Sequence, residues 1–273
     1  MDRREFLRKT AAGTGCLALA TTTSAISAPV SAMLTKAEAG EPLAHGGTTA
    51  QETASGGMAS TGSDKPLKVL LVNGSPRTDG NTFCCLKEIE AQLQKHGIAS
   101  EIVQIGRKPV RMCINCGGCR DNNQAGCVFD DDICAVITQK MNDAHALIVG
   151  TPVYYGQPNG GILSLMQRLF FSAGHLVQNK PAAALAVCRR GGATATLQTM
   201  NMMFEMMNMP VVTSQYWNIA YGAGKGEVKL DTEGMQTMRT LATNMAFLLE
   251  KIHAGGSPYP QRQEHHVFMN FIR

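Results

Sequence analysis

Four cysteines dominate the chemistry legible in this chain: Cys113-Ile114-Asn115-Cys116-Gly117-Gly118-Cys119 is followed, after seven intervening residues, by Cys127. Four thiols within fifteen residues, separated by glycines, have the density of a ligand set rather than of packing residues. Three of them at successive spacings of three resemble iron-sulfur ligation. Spacing alone leaves three rivals open. Zinc usually takes two Cys-x-x-Cys pairs set farther apart. Disulfides would have to close strained rings across two-residue gaps, and the loop could simply carry free thiols.

A second candidate site is Asn73-Gly74-Ser75-Pro76-Arg77-Thr78-Asp79-Gly80-Asn81-Thr82, lying between an apolar run and a segment of helical period. A helix start presents free amides and a partial positive charge to an anion. The dinucleotide fingerprint and the triphosphate loop are both excluded, because five residues separate Gly74 from Gly80 and Asn81 stands where a lysine would be needed. What remains is two hydroxyls (Ser75, Thr82), one side-chain amide (Asn81), backbone amides and one cation (Arg77), a set suited to a single phosphate monoester. An ordinary turn with Asn81 as helix cap is the alternative. Two further segments, Thr151 to Pro158 and Cys188-Arg189-Arg190-Gly191-Gly192-Ala193-Thr194, also follow apolar runs. In the latter the glycines permit close backbone approach, and Arg189 or Arg190 would either meet an anion or stand as a solvated pair.

The elements that must hold these segments follow from periodicity. Short apolar runs at Val69–Val72, Ile98–Ile105, Ala146–Val149, Ala182–Cys188 and Val211–Thr213 alternate with helical patterns over Asn81–His96, Asp131–Asn142, Ile162–Ser172, Ala195–Met207 and Asp231–His253. Three of the runs are continuously apolar, as in strands buried on both faces of a parallel sheet. Five strands alternating with five helices predict an α/β doubly wound sandwich. Ligands then sit beyond the carboxyl ends of the strands.

The pattern Asn-Gly-Ser-Pro-Arg, a short gap, then Gly-Asn-Thr is similar to the FMN phosphate loop of the flavodoxin-like NAD(P)H-dependent FMN reductases and iron-sulfur flavoproteins, and the resemblance runs from about Lys68 to His253. It implies a flavodoxin-like five-stranded sheet of order 2-1-3-4-5, with Ser75, Arg77, Asn81 and Thr82 on the FMN phosphate. It further implies Pro152, Val153, Tyr154, Tyr155 and Gly156 along the flavin ring, with Arg189 and Gly191 beside it. By the same resemblance Cys113, Cys116, Cys119 and Cys127 would hold a 4Fe-4S cluster. The implied activity is an FMN-dependent oxidoreductase, with NAD(P)H as the family's usual donor. Its acceptor would be a small molecule such as a quinone, free flavin, metal ion or nitro or azo aromatic. No acid/base side chain is required, because the flavin carries the chemistry. A non-catalytic flavodoxin-like electron carrier with a cluster is the alternative.

The remaining residues set the context. Asp2-Arg3-Arg4-Glu5-Phe6-Leu7-Arg8-Lys9 precedes an uncharged stretch from 10 to 35 and resembles a twin-arginine (Tat) export signal with cleavage after Val30-Ser31-Ala32. A membrane-anchoring helix is the rival, weakened by the scarcity of leucine. Tat export would carry a domain folded and loaded in the cytoplasm, which favours a cofactor, implies a periplasmic location and calls for a membrane or periplasmic electron donor. The expected organisation is signal 1–32, a disordered Gly/Ser/Thr/Ala-rich linker 33–66, an FMN-binding domain 67–255 containing the Cys-rich loop 113–127, and a tail 256–273. Losing the signal's four basic and two acidic residues takes the net charge of +4 down to +2, too little to favour nucleic acid as partner. Cys84, Cys85, Cys134 and Cys188 read as buried small hydrophobes. The methionines between Met200 and Met209, together with the apolar tail, read as helix packing or the interface of a homo-oligomer, dimer or tetramer.

Overall fold

The computed structural model describes residues 66–121, 125–254 and 259. The expected export signal, the linker up to residue 65, and tail residues 255–258 and 260–273 lie outside them. Strand β1 (Lys68–Asn73) leads into helix α1 (Asn81–Lys95) and strand β2 (Ala99–Gln104). The cysteine-bearing loop follows, with a single helical turn α2 (Gly118–Asp121), then α3 (Ile133–Asp143) and β3 (Ala146–Tyr154). A two-residue strand β4 (Gln157–Pro158) precedes α4 (Gly160–Ala173), β5 (Ala182–Cys188) and α5 (Ala193–Met206). The described chain closes with β6 (Ile219–Tyr221) and α6 (Thr232–His253).

The strands run in the order β2-β1-β3-β5-β6, all parallel, with β4 paired antiparallel to the end of β3. This is the expected doubly wound order 2-1-3-4-5 once the two-residue β4 takes a number. Side chains alternate between two cores, as the period of two along a strand requires. Val69, Leu71, Ile148, Ala183 and Leu185 face α1 and α6. Leu70, Val72, Leu147, Val149, Ala182 and Ala184 face α3, α4 and α5. Every residue of β5 is buried, and five of its seven are small enough to let the helices lie close. Burial on both faces accounts for the continuous apolar runs.

The fifth strand is a correction. The run at Val211–Thr213 makes only an isolated bridge, Val211 to Ala182, and the strand forms instead at Ile219–Tyr221. Asn218 explains the shift: its Nδ2 donates to Ala184 O at 3.0 Å and its backbone O accepts from Ala186 N at 2.9 Å. A side chain thus stands in for the ladder at the middle of β5, and regular pairing resumes only at Ala186.

Glu101 on β2 accepts from Lys68 on β1 at 3.1 Å and also from Lys140 on α3. Lys140, and then Lys68, hold its carboxyl below the usual glutamate range. A depressed carboxylate stabilises the fold above its unfolded pKa and loses that contribution as acid protonates it. Glu101→Gln should therefore lower stability at neutral pH and leave it unchanged in strong acid, which urea melts at the two pH values would show.

Candidate functional site

The phosphate-loop residues are positioned by the end of β1. Gly74 N donates to Gly150 O at 2.7 Å, and a Cβ at Gly74 would stand 2.7 Å from that oxygen, so only glycine lets the chain leave the strand here. Asn73 Oδ1 accepts from Ser75 N at 3.1 Å, Ser75 Oγ accepts from Arg77 N at 3.1 Å, and Gln104 on the neighbouring strand bonds both Asn73 and Ser75 O. Asn73 and Gln104 are supports that the motif alone did not disclose. The first turn of α1 sits on β3 through Thr82, whose methyl uses the space that the missing Cβ of Gly150 leaves.

Helix α1 starts at Asn81 with Gly80 as its cap residue, no side-chain cap and no acidic residue in the first turn. Its leading amides have no intrahelical acceptor. Asn81 is therefore not the cap. Its Nδ2 donates to Gly224 O at 2.9 Å and its Oδ1 accepts from Val228 N at 3.4 Å, which ties the phosphate loop to the segment after β6. The same segment brings Lys225 into an ion pair with Asp79, whose carboxyl is held below its usual range chiefly by that lysine.

These residues open on a cleft of about 430 Å³ at the carboxyl ends of β1, β3, β5 and β6, within the range of small-molecule sites. Of the sequence-predicted residues, Ser75, Arg77, Asn81, Thr82, Pro152, Val153, Tyr154 and Arg189 line it. Tyr155, Gly156 and Gly191 do not. Tyr155 and Gly156 form the two-residue turn between β3 and β4, both with positive φ (51° and 77°), and the Tyr155 side chain projects fully into solvent. That pair of conformations is the type I′ hairpin geometry. Gly191 faces open space, whereas Gly192 makes the close approach: a Cβ there would lie 2.6 Å from Gly156 Cα. Lys225, Gly222, Ala223 and Cys188 line the cleft unforeseen. Lys225 could have been suspected only as a lone cation among glycines. Burial raises the Cys188 thiol above its ordinary pKa, so it stays protonated at neutral pH.

All four cysteines of the motif line a second, much smaller cavity of about 20 Å³. Cys119 is buried, Cys113 and Cys127 half-buried, Cys116 exposed. Positive φ at Asn115 and Gly117 turns the chain between them, and Val128 packs closely on Gly118. The loop is pinned by Asp132, the N-cap of α3, which accepts from Cys134 N and Arg111 N at 3.0 Å each. Arg111 also pairs with Asp131 at 3.1 Å and lies over the Phe129 ring. Arg168 of α4, 1% exposed, pairs with Asp132 and places its Nε 3.4 Å from Cys127 Sγ. Burial pushes the Cys134 thiol up to about 11. The eight cysteines of the described residues are free thiols, and among those residues no three metal-ligating side chains stand preassembled around one point. The donor set itself, four thiols against a buried cation, fits a thiolate-ligated group.

The family model of the NADPH-dependent FMN reductases matches residues 67–224. An iron-sulfur flavoprotein of Methanocaldococcus jannaschii is 31% identical over 194 residues, 68% of this chain and 99% of that protein. An iron-sulfur flavoprotein of Methanosarcina thermophila is 34% identical, over 68% of this chain and 97% of the relative. Among solved structures, RosB with bound 8-demethyl-8-formylriboflavin-5'-phosphate has a TM-score of 0.56 at 17% identity, covering 75% of this chain and 92% of its own. An apo NADH:FMN oxidoreductase has 0.52 at 13%, covering 71% and 97%. At these identities the solved structures show the fold alone.

Gly192 seats the loop after β5 against the β3–β4 hairpin: a Cβ there would strike Gly156, and its φ of 87° disfavours any other residue. Gly192→Ala should destabilise the protein by about 1–3 kcal/mol in a denaturant melt, with amide exchange rising first in the β3–β4 hairpin.

Proposed function

The chain belongs to the NADPH-dependent FMN reductase family, and we propose that it acts as an FMN-dependent oxidoreductase passing electrons through the flavin to a small acceptor, a quinone, free flavin, metal ion or nitro or azo aromatic. One observation carries this reading. The uncapped start of α1, the cations Arg77 and Lys225, and the Pro152-Val153-Tyr154 segment all face one cleft. A phosphate and a flat ring are the two ends of one ligand, and the cleft offers a place for each.

Bound there, FMN would supply reversible electron and hydride transfer. The chain's own residues bind and orient. Ser75, Thr82 and the first amides of α1 would take the phosphate oxygens, helped by the positive end of the helix. Arg77 and Lys225 would balance the dianion, and the Lys225–Asp79 pair keeps the nearby carboxylate from repelling it. Pro152, Val153 and Tyr154 would border the ring, where an aromatic face favours stacking. Arg189 stands at the rim, placed for an anionic edge of the flavin or acceptor. Cys113, Cys116, Cys119 and Cys127 would hold a 4Fe-4S cluster and add one-electron transfer.

The Arg3-Arg4-Glu5-Phe6-Leu7 motif supports Tat export to the periplasm. NAD(P)H should be scarce there, so the proposal includes a membrane or periplasmic electron donor. Exposed Met202 and Met206 on α5 support a homo-oligomer.

The absorption spectrum of the purified full chain tests the core of the proposal. Flavin bands, with FMN as the flavin released on denaturation, are expected, and their absence after reconstitution with FMN would sink it. Bound iron and acid-labile sulfide, lost in Cys119→Ser, test the cluster. Steady-state turnover with reduced donors and quinones separates a reductase from a carrier, which would be reduced reversibly without turnover. Arg77→Ala and Lys225→Ala should each weaken FMN binding roughly tenfold, the effect of about 1.4 kcal/mol, and leave riboflavin binding unchanged. The difference should shrink with added salt.

A further inference from the structure

Arg168 is the most deeply buried cation among the described residues, and no step of the flavin reading uses it. It sits on α4, remote in sequence from the cysteine motif, and all three guanidinium nitrogens are engaged. Nη1 pairs with the Asp132 carboxylate and donates to Arg111 O at 3.3 Å. Nη2 donates to Phe129 O, and Nε donates to Cys127 Sγ at 3.4 Å. A structural account explains three of these bonds: two loop carbonyls and a helix-capping carboxylate are gathered onto one rigid fork. It does not explain the fourth. A neutral thiol is a weak acceptor, whereas a ligating thiolate is a strong one, and arginine is a permanent cation with no acceptor of its own.

We propose that Arg168 is the positioning residue of the cysteine pocket, orienting Cys127 as a ligand and raising the reduction potential of the iron-sulfur centre bound there. This rests on the iron-sulfur reading of the four cysteines. Reduction adds one electron to the centre without breaking a bond. Hydrogen bonds onto ligand sulfurs and nearby positive charge stabilise the more negative, reduced state. Asp132 acts with the opposite sign. It offsets the guanidinium charge and, by accepting from Arg111 N and Cys134 N, holds both ends of the loop. About 12 Å of helix separates Arg168 from the α4 start beside the β3–β4 hairpin, at 1.5 Å per residue. The same rigid element therefore fixes the pocket relative to the flavin cleft.

The test is a redox titration of the cluster signal in the full-length protein, reconstituted anaerobically with iron and sulfide, for wild type, Arg168→Gln, Arg168→Lys and Asp132→Asn. The potential should fall in Arg168→Gln and fall less in Arg168→Lys, which keeps the charge without the fork. In Asp132→Asn it should rise, because a negative charge is removed while the bond to Cys127 stays. Loosening of the loop alone would move Arg168→Gln and Asp132→Asn the same way, and that result, or an unchanged potential in both, overturns the proposal. If neither Arg168 variant retains a cluster, Asp132→Asn decides alone: a rise supports the proposal, and no shift or a fall overturns it. Wild type that binds FMN but takes up no iron or sulfide removes the cluster reading and this proposal together, leaving the flavin reading intact. A cluster present with unmoved potentials removes only this proposal.

Discussion

Burial of both faces of a parallel sheet is the constraint on which the other features depend. The middle residues of β1, β3 and β5 are covered by α1 and α6 on one side and by α3, α4 and α5 on the other, and their side chains pack. Polar backbone becomes available only where strands end, and in a doubly wound sheet the strand ends that face a shared crevice are the carboxyl ends. The glycines at these exits follow from the same crowding: Gly74 beside Gly150 O, Gly150 beneath Thr82 and Gly192 against Gly156 each occupy a point where a Cβ would strike a neighbouring segment.

The two candidate sites handle charge differently. In the cleft, helix amides, Arg77 and Lys225 gather positive potential at a solvent-open surface, where ion pairs such as Lys225–Asp79 are individually weak. At the cysteine loop the cation is buried. An uncompensated guanidinium there would cost several kcal/mol, and Asp132 together with two backbone carbonyls offsets that cost. The arrangement fixes a long loop that has almost no regular secondary structure of its own. It draws residues 111, 129 and 132 to one point, which brings the intervening cysteines around a common cavity.

Much of this was legible before any coordinates. Helices α1, α4 and α6 appear within two residues of their apolar periodicity, and β5 matches its run residue for residue, because long one-sided patterns and short continuous ones have few alternative burials. The last strand was not legible. Val211–Thr213 is the stronger β-former, yet Asn218 plugs the edge of β5 with its side chain and moves the pairing to Ile219. Local propensity could not register a competitor that acts through a side-chain amide.

The functional residues divide the same way. The phosphate loop and the four cysteines are contiguous motifs, so residue type and spacing identify them and the order of elements puts the phosphate loop at a strand end. Tertiary structure decided which neighbours complete them. It turned Tyr155 outward on a hairpin whose backbone has positive φ, gave Asn81 to the loop after β6 instead of the helix cap, and brought in Lys225, Gln104 and Arg168 from positions about 30 to 150 residues away. Those partners carry no motif. Each is defined by where a buried or strand-end polar group needs a counterpart, and that need exists only once the chain has folded.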